Sequence, residues 1–149
     1  MNHLNVPKNL KLVILLLLFF KVSSTFGYIK KEPLKIAIIG LTHDHVHWIL
    51  GQSQTKDYKT VAIVESNQDL AQRYSNQYGY AMNMVYKTIE DMIVATNPDA
   101  VVAFGSIYEH LKVVEVCAPL GIHVMVEKPL AVSVKHAKKM ASLAEKHNI

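Results

Sequence analysis

Cysteine is nearly absent from this 149-residue chain: Cys117 stands alone. One thiol cannot close an internal disulfide, so no disulfide framework can be read from the sequence. Its context, VVEVCAPL, reads instead as a small apolar residue on a buried helix face. Glycine is scarce too, with six residues, and only Gly40 falls where a first strand would hand over to a helix. Internal repeats, low-complexity tracts and long linkers are missing.

An excess of one charge is missing as well. The chain carries 16 Lys+Arg and 12 Asp+Glu, but Lys8, Lys11 and Lys21 lie within the segment 1–27. The rest has 13 basic against 12 acidic side chains (16 less those three, against an unchanged 12), so the basic balance belongs to the amino terminus and gives no footprint for nucleic acid.

The segment 1–27 has the layout of a secretory signal peptide. Lys8 and Lys11 form a basic start, Leu12 to Phe20 an unbroken apolar core, and Ser23, Ser24, Thr25 and Gly27 a small-residue stretch. That apolar core is too short for a membrane-spanning helix, which needs about 20 residues. The expected products are an exported protein, periplasmic or secreted, cleaved near Ser24 or Gly27, or one left with an uncleaved signal anchor. Residues 28–149 then suffice for one domain with its own core.

What is present is alternation. Apolar runs LKIAII (34–39), TVAIV (60–64), DAVVAF (99–104) and IHVMVE (122–127) predict strands, with a weak one near Met82–Val85. Between them fall helical segments over His45–Thr55, Asp69–Tyr78, a short one through Ala95 opened by Thr88 and Asp91, Tyr108–Pro119, and Ser133–His147. Strands buried on both faces, each followed by a helix, predict an α/β fold with an open, doubly wound parallel sheet of Rossmann type. A ligand site in such a sheet lies outside the carboxyl ends of the strands. That places Gly40–His45, Glu65, Gly105–His110 and Glu127–Pro129 at one edge.

Each of these segments has a chemical reading beside a plainer one. Gly40-Leu41-Thr42-His43-Asp44-His45 keeps only the first glycine of a dinucleotide loop. Thr42 can still give a hydroxyl to a phosphate, and the helix start still offers free N–H groups. Glu65, closing the second strand, can accept both ribose hydroxyls of NAD and would repel the 2′-phosphate of NADP; it can equally be a solvated strand end. His43, His45 and His47 could share zinc, as a His43–His47 pair on a helix or as all three along a strand. Ordinary polar residues at a helix start outweigh either version, and a ligand contact by His43 or His45 stands between, so no metal is expected. Glu127-Lys128-Pro129 puts a carboxylate and an ammonium at a strand end, where burial could tune the lysine for proton transfer. A cis Lys128–Pro129 bond would aim it.

Residues 99–131, DAVVAFGSIYEHLKVVEVCAPLGIHVMVEKPLA, resemble the glucose–fructose oxidoreductase / inositol dehydrogenase / MocA (Gfo/Idh/MocA) family. The likeness lies in the apolar strand, His110 at a helix start, the Ala118-Pro119-Leu120-Gly121-Ile122-His123-Val124 segment and Glu127 to Ala131. It extends over about residues 34–149. The resemblance implies that Lys128 contacts nicotinamide and substrate and acts in proton transfer. Glu127 would position Lys128 and the ribose, Glu65 would bind the adenosine ribose, and Gly40 and its neighbours the pyrophosphate. Gly105, Ser106, His110 and Pro129 would complete the cofactor edge. Two places differ: Gly105-Ser106-Ile107 stands where the family has Thr-Pro-Asn, and Gly40-Leu41-Thr42 where it has Gly-x-Gly.

The expected function is therefore the NAD-binding domain of an exported oxidoreductase. It would move hydride at a CH–OH group of a sugar or polyol, with NAD favoured over NADP. Two alternatives stand beside it: an NAD-recycling glycoside hydrolase of the same family, and a degenerate binding domain without redox chemistry. The family's second α/β domain, which supplies the substrate wall, is expected to be missing from this chain. A homo-oligomer is compatible with the full-length form.

Overall fold

The computed structural model describes residues 32–149. The expected signal peptide, residues 1–27, lies outside the described residues.

Five parallel strands form one sheet: β1 Leu34–Ile39, β2 Tyr58–Val64, β3 Val85–Tyr86, β4 Ala100–Ala103 and β5 His123–Val126. Their order is β3-β2-β1-β4-β5, so the chain winds outward from β1 in one direction and resumes beside it with β4 in the other. The switch between β1 and β4 splays the connections apart at the carboxyl edge and leaves a crevice there. The helices are α1 Val46–Leu50, α2 Gln68–Tyr78, α3 Ile89–Thr96, α4 His110–Cys117 and α5 Val134–His147. The expected parallel doubly wound sheet is the observed one.

Period-two alternation divides the strands between two cores. Ala37, Ile39, Ala62, Val64, Val101 and Ala103 pack with Met92 of α3 and with Val113 and Cys117 of α4. Ile38, Ile63 and Val102 point the other way and pack with Val46 and Leu50 of α1 and Ala71 of α2. Cys117 is fully buried, as its sequence context implied. Burial pushes its thiol up to about 11. α5 covers α4 through Met140, beside Val114 and Ala118.

Local chemistry sets the helix limits. Asn67, Thr88 and Ser133 each accept a backbone N–H three residues ahead, worth about 1 kcal/mol apiece. Gly79 ends α2 at φ 76°, where a side chain is disfavoured.

Two expectations need correction. The helix predicted over His45–Thr55 stops at Leu50, and Gln54 instead pairs antiparallel with Lys59. The run from Gly51 to Thr55 offers no apolar side chain to bury, so continuing the helix would gain nothing there. β5 is not buried on both faces: it lies at the sheet edge, with Met125 exposed.

Candidate functional site

The carboxyl edge holds two groups of expected residues, each drawn from both sides of the switch. The first is a cleft of ≈ 390 Å³, whose walls include Gly40, Thr42, Glu65, Gly105, Ser106 and His110. Gly40 has φ 79°, and a Cβ there would lie 2.6 Å from both Cα and N of Gly105. Glycine at 40 is therefore required twice, by the left-handed backbone and by the contact between the two loops.

Glu65 is buried, and its carboxylate already has partners. Oε2 accepts the Leu41 N–H at 3.0 Å and Oε1 accepts the Asn67 N–H at 2.8 Å. The solvated strand-end reading of Glu65 is thus overturned: it fastens the turn after β1 to the start of α2. Each carboxylate oxygen has a second acceptor site, so the group can still receive hydroxyls from the cleft.

The turn after Gly40 spends most of its amides internally. Gly40 N–H bonds Val64 O, His43 N–H bonds Phe104 O, and His45 N–H reaches His43 Nδ1. Much of the supply of free N–H groups expected at this helix start is therefore used within the protein. Thr42 turns its hydroxyl to Phe104 O, at 3.4 Å.

His110 is almost fully buried at the first turn of α4. Its Nδ1 lies 3.1 Å from Leu130 O, which can only accept, so Nδ1 carries the proton. Nε2 is buried and has no partner among the described residues. His110 as a residue lines the cleft, but Nε2 itself is shielded from solvent. Through Leu130, the same side chain ties this cleft to the segment after Pro129.

The second group lies at the ends of β1 and β5. His45 Nδ1 is 2.7 Å from Glu127 Oε2, and His43 Nδ1 is 3.8 Å from the same oxygen. Glu127 Oε1 accepts the Lys128 backbone N–H at 2.8 Å. Burial opposes ionisation of Glu127. The Lys128 amide, then His45 and His43, outweigh it and hold the carboxyl below its ordinary value. His45 also stacks on Trp48, with ring centroids 4.1 Å apart and planes 15° apart.

Lys128 and His47 depart from their expected settings. The Lys128 side chain is 74% exposed, with Nζ 4.0 Å from Glu127 Oε1, so this chain does not supply the expected burial. The Lys128–Pro129 bond is cis, as the sequence allowed. His47 joins neither of the metal arrangements considered from sequence. Its ring lies between the hydroxyls of Tyr78 and Tyr74, on the α2 side.

Several residues of the cleft escape a reading by sequence. Glu109 accepts the Ser106 N–H at 3.0 Å and approaches Gly105, and Lys87, Glu90 and Lys112 also line the cleft. Glu90 and Lys112 pair at 3.2 Å, and the backbone at Glu90 and then Lys112 lower the Glu90 carboxyl below its ordinary value. The Ser-x-x-Glu spacing of Ser106 and Glu109 is a readable capping signal. The Glu90–Lys112 pair has none, since its members sit on different helices and meet only in the fold.

An open doubly wound sheet with touching glycines at its switch and a buried glutamate closing its second strand defines a dinucleotide-binding domain. Residues 34–149 match the family model GFO_IDH_MocA, described as an oxidoreductase family with an NAD-binding Rossmann fold. The chain belongs to this Gfo/Idh/MocA family.

Over 117 residues it is 32% identical to D-glucoside 3-dehydrogenase of Escherichia coli K12, covering 77% of this chain and 32% of that protein. Among solved structures, myo-inositol 2-dehydrogenase from Lactobacillus plantarum is 26% identical with a TM-score of 0.66, covering 77% of this chain and 34% of that one. An oxidoreductase from Agrobacterium radiobacter, solved with NAD+, L-tartaric acid and magnesium, is 24% identical with a TM-score of 0.70. The match covers 80% of this chain and 34% of that one, and the likeness is one of fold. The chain thus spans about a third of the length of these relatives.

Proposed function

We propose that this chain is the cofactor-binding part of an NAD-dependent dehydrogenase that oxidises a secondary hydroxyl of a sugar or polyol. The observation that carries the reading is Glu65, a buried carboxylate in the cleft wall at the end of β2. Its remaining acceptor sites suit a ribose diol, and its charge disfavours a 2′-phosphate. NAD, when bound, supplies the hydride acceptor.

The chain's own residues would hold and orient that group. Gly40 and Gly105 let backbone close to the pyrophosphate position, Ser106 offers a hydroxyl, and Thr42 and His110 line the same cleft. Lys128 would hold or take a substrate proton. Glu127 fixes the lysine backbone through its amide. The names of two relatives, a D-glucoside 3-dehydrogenase and a myo-inositol 2-dehydrogenase, support a ring hydroxyl as the reacting position.

Calorimetric titration of the purified chain with NAD and with NADP tests the reading. NAD is expected to bind more tightly. Binding of neither at millimolar concentration would leave a domain without redox chemistry and reject the proposal.

We further propose that the protein is exported, on the layout of residues 1–27. Amino-terminal sequencing of protein recovered from expressing cells should find a start just beyond Ser24 or Gly27. An intact Met1 on the protein, with all of it in the cytoplasm, would reject this.

A further inference from the structure

We propose that His43, His45 and Glu127 form a three-donor site for a divalent transition-metal ion of the zinc class, at the carboxyl edge beside Lys128. One ligand atom from each residue lies within 4.8 Å of the others. Two imidazole nitrogens and one carboxylate oxygen are a donor set that suits zinc and its neighbours. Three protein ligands leave further coordination positions for water or another ligand, as in zinc sites that do chemistry.

Several features beyond proximity aim these groups at one point. Glu127 comes from the far side of the switch, and its Oε2 faces both imidazoles. The other oxygen is pinned by the Lys128 amide, which sets the plane of the carboxylate. Stacking on Trp48 sets the plane of His45. Such outer partners orient metal ligands in general.

Two hydrogen bonds occupy these donor atoms, and a bound ion would replace both. His43 Nδ1 accepts the His45 backbone N–H at 3.2 Å, a long bond that ligation through this nitrogen would replace. His45 Nδ1 and Glu127 Oε2 are hydrogen-bond partners at 2.7 Å, and ligation would displace the shared proton and part the two atoms slightly. The only ammonium near Glu127 among the described residues, that of Lys128, lies by the other oxygen on a mostly exposed side chain. His47 is excluded from the set because Tyr78 and Tyr74 hold its ring elsewhere.

The site does not depend on the dehydrogenase reading, because the fold itself brings its donors together. The test uses the full chain without a histidine tag, stripped with chelator, dialysed against zinc and analysed for bound metal. One zinc per chain is expected. His43→Ala and His45→Ala should each weaken zinc binding by about tenfold or more, whereas His123→Ala, an exposed histidine on β5, should not change it. Cobalt(II) added to the stripped wild-type protein gives a second measurement that needs no variant. A visible spectrum of a nitrogen–oxygen site of low coordination number is expected. Failure of the folded wild-type chain to retain zinc, or an octahedral, water-like cobalt spectrum, overturns the proposal. Equal zinc binding by the wild type and both histidine variants does so as well. Absence of NAD binding in the separate titration leaves it standing.

Discussion

Gly40 and Gly105 touch backbone to backbone across the sheet's switch: a Cβ on Gly40 would come within 2.6 Å of Gly105 Cα. The contact holds the loops after β1 and β4 against each other beside the cleft. It also explains why Gly40 survives in a loop that otherwise departs from the glycine pattern.

A first prediction follows from two glycines with the same backbone but different surroundings. Gly79 has φ 76° and nothing within 4 Å of an added Cβ. Gly79→Ala should cost only the left-handed penalty of about 1–2 kcal/mol. Gly40→Ala adds a clash with backbone, which no rotamer can relieve, and should cost about 1–3 kcal/mol more. Urea unfolding of the two variants gives the comparison. Equal losses would show that the loops can separate freely.

Glu65 should matter for stability as well as for cofactor choice. Removing the carboxylate leaves the Leu41 and Asn67 amides without their acceptor, at about 1–3 kcal/mol for each one that stays buried. Glu65→Ala should therefore lower the melting temperature more than Glu65→Gln, which keeps one acceptor oxygen. Both should narrow the preference for NAD over NADP. A fully stable Glu65→Ala protein would mean that other groups hold the turn.

Cys117 should be silent in the native protein. It is fully buried and its thiol is raised to about 11, so little thiolate forms at mildly alkaline pH. A thiol reagent should find no reactive group in the folded chain and one per chain after denaturation. Rapid labelling of the folded protein would contradict the packing of α4 on the sheet.

The lowered Glu127 carboxyl fixes the sign of an acid effect. Its folded value lies below the unfolded one, which is about 4.3. Its stabilising contribution is therefore complete above that pH and fades as pH falls through the folded value. Glu127→Gln should flatten this part of the pH–stability curve below about pH 4.3. An unchanged curve would show that the hydrogen bonds to Lys128 and His45 contribute no net stability.

Much of the fold is legible because its signals are local. LKIAII, TVAIV and DAVVAF read as strands from apolar continuity. Thr88 reads as a cap from its own spacing to Asp91, and a cis bond is open to suspicion at Lys128–Pro129. The short reach of α1 is not legible, since periodicity alone does not say where burial stops. His47 groups with His43 and His45 in sequence because all three are neighbours there, whereas in space it belongs to Tyr74 and Tyr78.

The sequence by itself determined the order of strands and helices, the chain's near-neutral domain charge, and the placement of Gly40, Glu65 and Glu127-Lys128-Pro129 at strand ends. Those properties depend on side-chain periodicity and backbone preference within a short stretch of chain. Tertiary structure alone decided that Glu65 holds Leu41, that His110 holds Leu130, and that His45 meets Glu127 from the other half of the sheet. Pairing at such separations is set by strand order at the switch. The three histidines of HDHVH are separated there, two facing Glu127 and one facing the tyrosines of α2.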